Sequence, residues 1–187
     1  MILPNEPKLL AEKLRLAIQL QPGERLFGIV DGAQDLELAY EAKCLYGQEI
    51  RTLFAGDMAA SAADVAPYLV PIDPDSGYLE NWTQRWGKNA GILLTSSAEP
   101  AKLHAHLREI FVVRDEQGQQ FFFRYYDPRV MRVFVPTCKR GELPLFFGPV
   151  SSYLVENQES TGLLTFASSN PVEITNRPIL PITGGSQ

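Results

Sequence analysis

The sequence predicts an α/β fold: a mixed, mainly parallel central sheet flanked by helices, with a C-terminal β-hairpin region. Three observations lead to it. The apolar run RLFGIV, a helical segment and the run EIRTLF follow one another at the spacing of a βαβ unit, which pairs its strands in parallel. Further apolar runs, YLVPI and AGILLTSS, alternate with helical stretches. Finally, EIFVVRD and QQFFFRYYD are joined by only EQGQ, the mark of a hairpin, which makes the sheet mixed.

The first helix is expected from Pro7 to Leu20, with Asn5 as its N-cap. Leu10, Leu14, Ala17 and Ile18 make one apolar stripe, and Leu9, Leu16 and Leu20 a second on another side. Such a helix is either sandwiched or offers one side to a partner. The next helix, about Gln34 to Tyr46, carries Gln34, Glu37 and Glu41 on one narrow stripe and is expected to be largely buried. An alanine-rich helix precedes a strand at Tyr68–Ile72, and GYLENWTQRWG reads as a short helix carrying Trp82 and Trp86. After the strand Ala90–Ser97, Ser97 is placed to cap a helix with Pro100 in its first turn and a core stripe of Leu103, Leu107 and Ile110. A helical piece at Pro128–Val135 is followed by LPLFFGPVSSYLVE, strand-like and broken at Gly148-Pro149, and by a last strand at Thr161–Ala167. The chain thus reads as one domain over residues 1–167 and a tail over 168–187 that is ordered only where it packs on something.

With 187 residues, 45% apolar and 21% charged, composition is that of an ordinary globular domain. A net charge of −5 and a pI near 5.1 argue against nucleic acid as partner. Charges at Glu6, Lys8, Glu12, Lys13 and Arg15 interrupt the first segment, which reads as neither signal peptide nor membrane span. Cys44 and Cys138, with no CxxC, read as free thiols in a reducing cytoplasm.

The densest stretch is FFFRYYDPRV, Phe121 to Val130. On a strand both of its faces are aromatic, which predicts cover on both sides and a largely dry Arg124 with a carboxylate partner that the sequence does not identify. Asp127-Pro128 is an N-cap followed by a favoured first helical residue. Arg129, just past the cap, is expected to be exposed and available to an acidic partner. Trp82 and Trp86, four apart, share a helix side. Core packing and a partner-facing hot spot both fit them.

Catalytic motifs are scarce. His104 and His106 are two apart on a helix, about 200° around it, and cannot chelate one ion. No GxSxG, GxGxxG or GxxxxGK[ST] occurs, and no cofactor or metal is expected. Asp31, at a strand end, lies where α/β enzymes bind ligands. A small hydrolase or transferase using Asp31 or Asp127 with Arg124 is therefore the enzymatic alternative to a binding protein.

The order of VDGAQ, LYG, LFAGDMAASAADVAPYLVPI, WGKNAGILLTSS, HLR and FFFRYYDPRVM, over about Arg25 to Val150, resembles the type VI secretion effector adaptor (chaperone) family, first catalogued as a bacterial domain of unknown function. The resemblance implies a non-catalytic protein of the bacterial cytoplasm. It would bind a secreted effector protein and help load it onto the spike protein at the tip of the secretion tube, without nucleic acid or membrane. The family's marked residues fall here on Trp86, Gly87, Arg124, Tyr126, Asp127, Pro128 and Arg129, as scaffold or as contact. Leu9, Leu16, Leu20, Trp82 and Arg129 are the candidate partner-binding residues. Many relatives carry a substantial C-terminal extension, where this chain has about 35 residues after Ser152. A partner that binds and neutralises a toxin is a third reading.

Overall fold

In the computed structural model, which describes residues 6–169 and 171–180, a seven-stranded sheet runs through the molecule with helices on both faces. The elements are α1 (Glu6–Ala17), β1 (Arg25–Asp31), α2 (Leu36–Tyr46), β2 (Arg51–Thr52), α3 (Asp57–Ser61), β3 (Pro67–Ile72), α4 (Gly77–Thr83), β4 (Gly91–Ser96), α5 (Pro100–Glu109), β5 (Val112–Arg114), β6 (Gln120–Phe122), α6 (Pro128–Thr137), α7 (Leu143–Phe147), β7 (Ser152–Glu156), β8 (Gly162–Ala167) and β9 (Glu173–Pro178). α1 ends at Ala17, short of the expected Leu20, which therefore follows the helix, and Asn5, expected to cap it, lies outside the described residues.

The strand order is β2-β3-β1-β4-β7-β8-β9, and every neighbouring pair is antiparallel. The expected mainly parallel sheet is thereby overturned. The physical reason is specific. A helical crossover returns the chain in the same direction, and β1 and β2 do run the same way, but β3 lies between them and pairs antiparallel with both. β3 and β4, joined through α4, flank β1 in the same manner. The crossovers fix direction, not adjacency. Helices on both faces then give these strands the continuous apolar character usually associated with parallel sheets.

Alternation along β1 shows the two cores. Leu26 and Val30 join Leu10, Leu14, Leu38, Tyr78 and Trp82 under α1, α2 and α4. Phe27 and Ile29 join Leu103, Leu107, Met131, Phe146 and Phe147 under α5, α6 and α7. Between the two former residues sits Gly28. A Cβ there would come within 2.7 Å of the Trp82 ring, so glycine lets α4 lie close on the sheet.

Several local expectations change. α2 buries only Leu38, Ala39 and Ala42, while Leu36, Tyr40 and Leu45 are exposed, so it is a surface helix. Leu143–Phe147, expected as strand, is α7, and only β7 after Gly148-Pro149 enters the sheet. Glu99, not Ser97, is the N-cap residue of α5. The hairpin forms as a separate two-stranded sheet and is shorter than expected. β6 stops at Phe122, and FFFRYYD is not a strand covered on both faces. Phe121 and Phe122 are 47% and 53% exposed, whereas Tyr125 and Tyr126 turn into the core. Beyond Ala167, β9 pairs along β8, and Arg177 at its end donates to the Ala17 carbonyl and the Gln19 side chain.

Candidate functional site

The two motif segments meet at one end of the sheet, where β1 and β7 finish and β4 begins. Each arrives there for a local reason. Asp127 accepts from the Arg129 backbone N–H at 2.9 Å and caps α6, with Pro128 as the first helical residue, as the sequence predicts. The same carboxylate takes a two-pronged bond from the Arg129 side chain, Nε at 2.9 Å and Nη2 at 2.7 Å. Burial acts to raise the Asp127 carboxyl, but these bonds from Arg129 win and hold it below its ordinary value.

Arg124 finds its carboxylate in Asp31, at 2.5 Å from Nη2. Asp31 is buried at the end of β1 and also accepts from the Ala33 N–H at 3.1 Å. The expected dry Arg124 is corrected: its side chain is 47% exposed, since the chain leaves β6 before reaching it. Its guanidinium lies over the Tyr126 ring at 5.8 Å. Burial first, then the Asp31 charge, push the Tyr126 hydroxyl up to about 12. Against the cost of desolvation, Asp31 holds the Arg124 guanidinium above its usual range.

Trp86 and Gly87 bind the other side of this end. The Trp86 Nε1 donates to the Ser160 carbonyl at 2.9 Å. Gly87 adopts φ +84°, a left-handed turn that favours glycine, and its N–H donates to Glu156 at 2.5 Å. The second Glu156 oxygen accepts from the Asn89 N–H at 3.0 Å, and the Glu156 carbonyl accepts from Arg132 at 2.8 Å. Glu156 is buried, and that burial raises its carboxyl above the ordinary value despite the two N–H donors. Sequence reasoning missed Glu156. Its signal was a lone carboxylate closing the buried strand SYLVE. It also missed Arg85, buried and paired with Asp35, Glu37 and Glu41 at 3.4, 3.0 and 3.3 Å, which no motif connects in sequence.

Chemically, both carboxylates of the enzymatic alternative are engaged. Asp31 holds Arg124 and the turn at Ala33, and Asp127 holds Arg129 and the first turn of α6. Exposed guanidinium edges remain at Arg124 and at Arg129, whose side chain is 55% exposed. Among the described residues, no group of His, Cys, Asp and Glu is placed to hold a metal ion, and no helix is long and apolar enough to cross a membrane.

The remaining candidates separate. Trp82 is buried, edge-on to Tyr78 with ring centres 6.4 Å apart, and is core rather than surface. Leu9, Leu16 and Leu20 are exposed, Leu16 by 81%. Beside Leu16, a hollow of about 470 Å³ lies between α1 and the stretch Arg177–Leu180.

A family model described as "Domain of unknown function (DUF4123)" matches residues 26–144, well over half of the chain. The chain belongs to this family. The DUF4123 segment runs from β1 to the start of α7 and contains both Trp86-Gly87 and Arg124–Arg129. Glu156, which holds the Gly87 turn, lies beyond it on β7. No curated protein and no solved structure matches the chain.

Proposed function

We propose that this DUF4123 protein is a non-enzymatic adaptor of the bacterial cytoplasm that binds a type VI secretion effector and helps load it onto the spike protein. Support comes from the family membership together with the resemblance of the motif order to that of effector adaptors. The observation that carries the reading is the two-sidedness of α1. Leu10 and Leu14 anchor it in the core, with buried Ile18 just past its end, while Leu9 and Leu16 on the helix, and Leu20 in the segment that follows it, are exposed among the described residues. An apolar helix side on a rigid support is a surface that can take an amphipathic partner at low ordering cost.

The mechanism is proximity. α1 takes the effector, a separate face takes the spike, and holding both raises the effective concentration of one at the other. The motif end of the sheet serves as scaffold, keeping the loop before β4, the turn after β7 and the start of α6 in fixed relation. Affinity purification of the tagged chain from its native bacterium, with mass spectrometry, tests this. Recovery of an effector together with a spike protein supports the adaptor. Recovery of a toxin alone, inhibited in the complex, favours a neutralising partner. Recovery of neither contradicts the reading.

A further inference from the structure

The sheet face that carries the α1 core changes character along its strands. Leu93 of β4 lies opposite Leu154 of β7, and both join the core with Leu10 and Leu14. In the same row, Leu154 lies opposite Thr165 of β8, and Thr165 opposite Thr175 of β9. Two residues along, and so on the same face, the next row is Thr95, Ser152, Ala167 and Glu173. Leucine has given way to hydroxyls. Over this end of the face a hollow of about 360 Å³ opens, walled by Gln19, Gln21 and Glu24 of the segment between α1 and β1. Arg177 ties that wall to β9, donating to the Ala17 carbonyl at 3.0 Å and to Gln19 Oε1 at 2.8 Å.

Six hydroxyls line the hollow: Thr95, Ser151, Ser152, Thr165, Ser168 and Thr175. The backbone beneath them is bonded, Ser151 N–H to the Thr95 carbonyl at 2.9 Å and Ser168 N–H to the Ser151 carbonyl at 2.8 Å, but among the described residues none of the six hydroxyls has a partner. Thr95 is the decisive one. It is only 3% exposed, and its hydroxyl needs a bond from something in the hollow. The lining chemistry selects the guest. An apolar molecule would strand the hydroxyls. An anion would meet Glu24 and Glu173 with Arg177 alone to oppose them, and Arg177 is already engaged. A metal ion finds no converging ligands among the described residues. A molecule rich in hydroxyls fits, because each of its groups gives and takes a hydrogen bond, as each Ser and Thr does.

We infer that this hollow is a binding site for a small neutral polyhydroxylated molecule, a monosaccharide or disaccharide. Its volume is at the lower end of ligand pockets, about 300–1,000 Å³, and suits such a guest. The described chain does not lead its own ends there. Ala17 lines the hollow, and Glu6 lies at the other end of α1, about 17 Å away. β9 starts in the hollow at Glu173 and runs to Pro178, again about 17 Å along, after which the Ile179 and Leu180 N–H groups bond the Thr161 carbonyl at the far end of β8. The site is separate from α1's exposed leucines and from the motif residues, so it stands whether or not the adaptor reading does.

The probe is a panel of neutral sugars (glucose, galactose, N-acetylglucosamine, maltose and trehalose) titrated into the isotope-labelled full chain and followed by amide NMR shifts. At least one sugar is expected to move the amides of Thr95, Ser152, Thr165 and Thr175 saturably, with a Kd of about 1 mM or tighter. Thr165→Val and Thr175→Val each keep the side-chain shape, suit a strand and remove one hydroxyl. Each weakens that binding by about five- to tenfold, and Thr95→Val by more. The inference is overturned if no sugar of the panel moves these amides, or if the valine variants, shown folded by their dispersed spectra, bind as the parent does. Inorganic phosphate moving the same amides at lower concentration than any sugar would give the hollow to an anion and overturn it. Nuclear Overhauser contacts from residues 1–5 or 181–187 to Thr165 in the free protein would give it to the chain's own ends, with the same consequence.

Discussion

The Arg124 guanidinium lies 2.5 Å from the buried carboxylate of Asp31, a residue 93 positions earlier in the chain. Replacing Arg124 with Ala leaves Asp31 buried with one backbone donor, from Ala33. The expected loss is about 1–3 kcal/mol of stability. Combining Arg124→Ala with Asp31→Asn should cost clearly less than the sum of the two single losses, because each single variant already removes the shared bond. Urea titrations of the four proteins measure the coupling.

The two buried carboxyls at this end titrate in opposite senses. Asp127 is held low in the folded protein, so the unfolded chain binds the extra proton. Its contribution is present above the unfolded value, about 4, and is lost as pH falls through the lower folded value. Glu156 is raised, so its contribution is present below the unfolded value and is lost as pH rises through the folded one. Asp127→Asn should therefore flatten the acid limb of stability against pH. Glu156→Gln should flatten the segment just above it. Urea midpoints across pH read both.

The Gly87 turn and the Trp86 ring hold one loop together. Gly87→Ala forces a side chain into φ +84° and brings its Cβ within 3.2 Å of the Ser160 side chain. A loss of about 1–2 kcal/mol is expected from the backbone alone. Trp86→Phe removes the bond to the Ser160 carbonyl and should cost about 1 kcal/mol beyond packing. Thermal unfolding of each variant, and of the pair, checks both values.

How far the sequence can be read is clearest at Asp127 and at β3. The cap at Asp127 is local chemistry, an aspartate before a proline, and it is legible because the bonds it makes span two or three residues. The same holds for the positions of most strands and helices. β3 entering between β1 and β2 is not local, and the spacing of a crossover carries no information about what pairs between its strands. Arg124 needed a carboxylate, and the need was legible. That Asp31 meets it depends on where β1 ends relative to the segment after β6, which only the folded sheet decides. The aromatic run misled for a related reason: alternation assumed a continuous strand, and the strand stops at Phe122.

The two sides of α1, with Leu20 just past its end, make separable predictions. Leu14→Ala, at a fully buried position, should destabilise the protein by about 2–5 kcal/mol. Polar replacement of Leu9, Leu16 and Leu20 together should cost less at each site than Leu14→Ala: no more than about 0.5 kcal/mol at Leu16, which is 81% exposed, and somewhat more at Leu9 and Leu20, which are 51% and 37% exposed. Urea unfolding distinguishes the two sets.

The measurement that tests the central claim most directly is quantitative affinity purification of the tagged wild-type chain and of this triple leucine variant from the native bacterium. The account predicts that an effector and a spike protein accompany the wild type, and that the effector is lost from the variant while the spike protein remains. If the variant retained both partners, α1 would not be the effector surface. If the wild type recovered neither, the adaptor role itself would be contradicted.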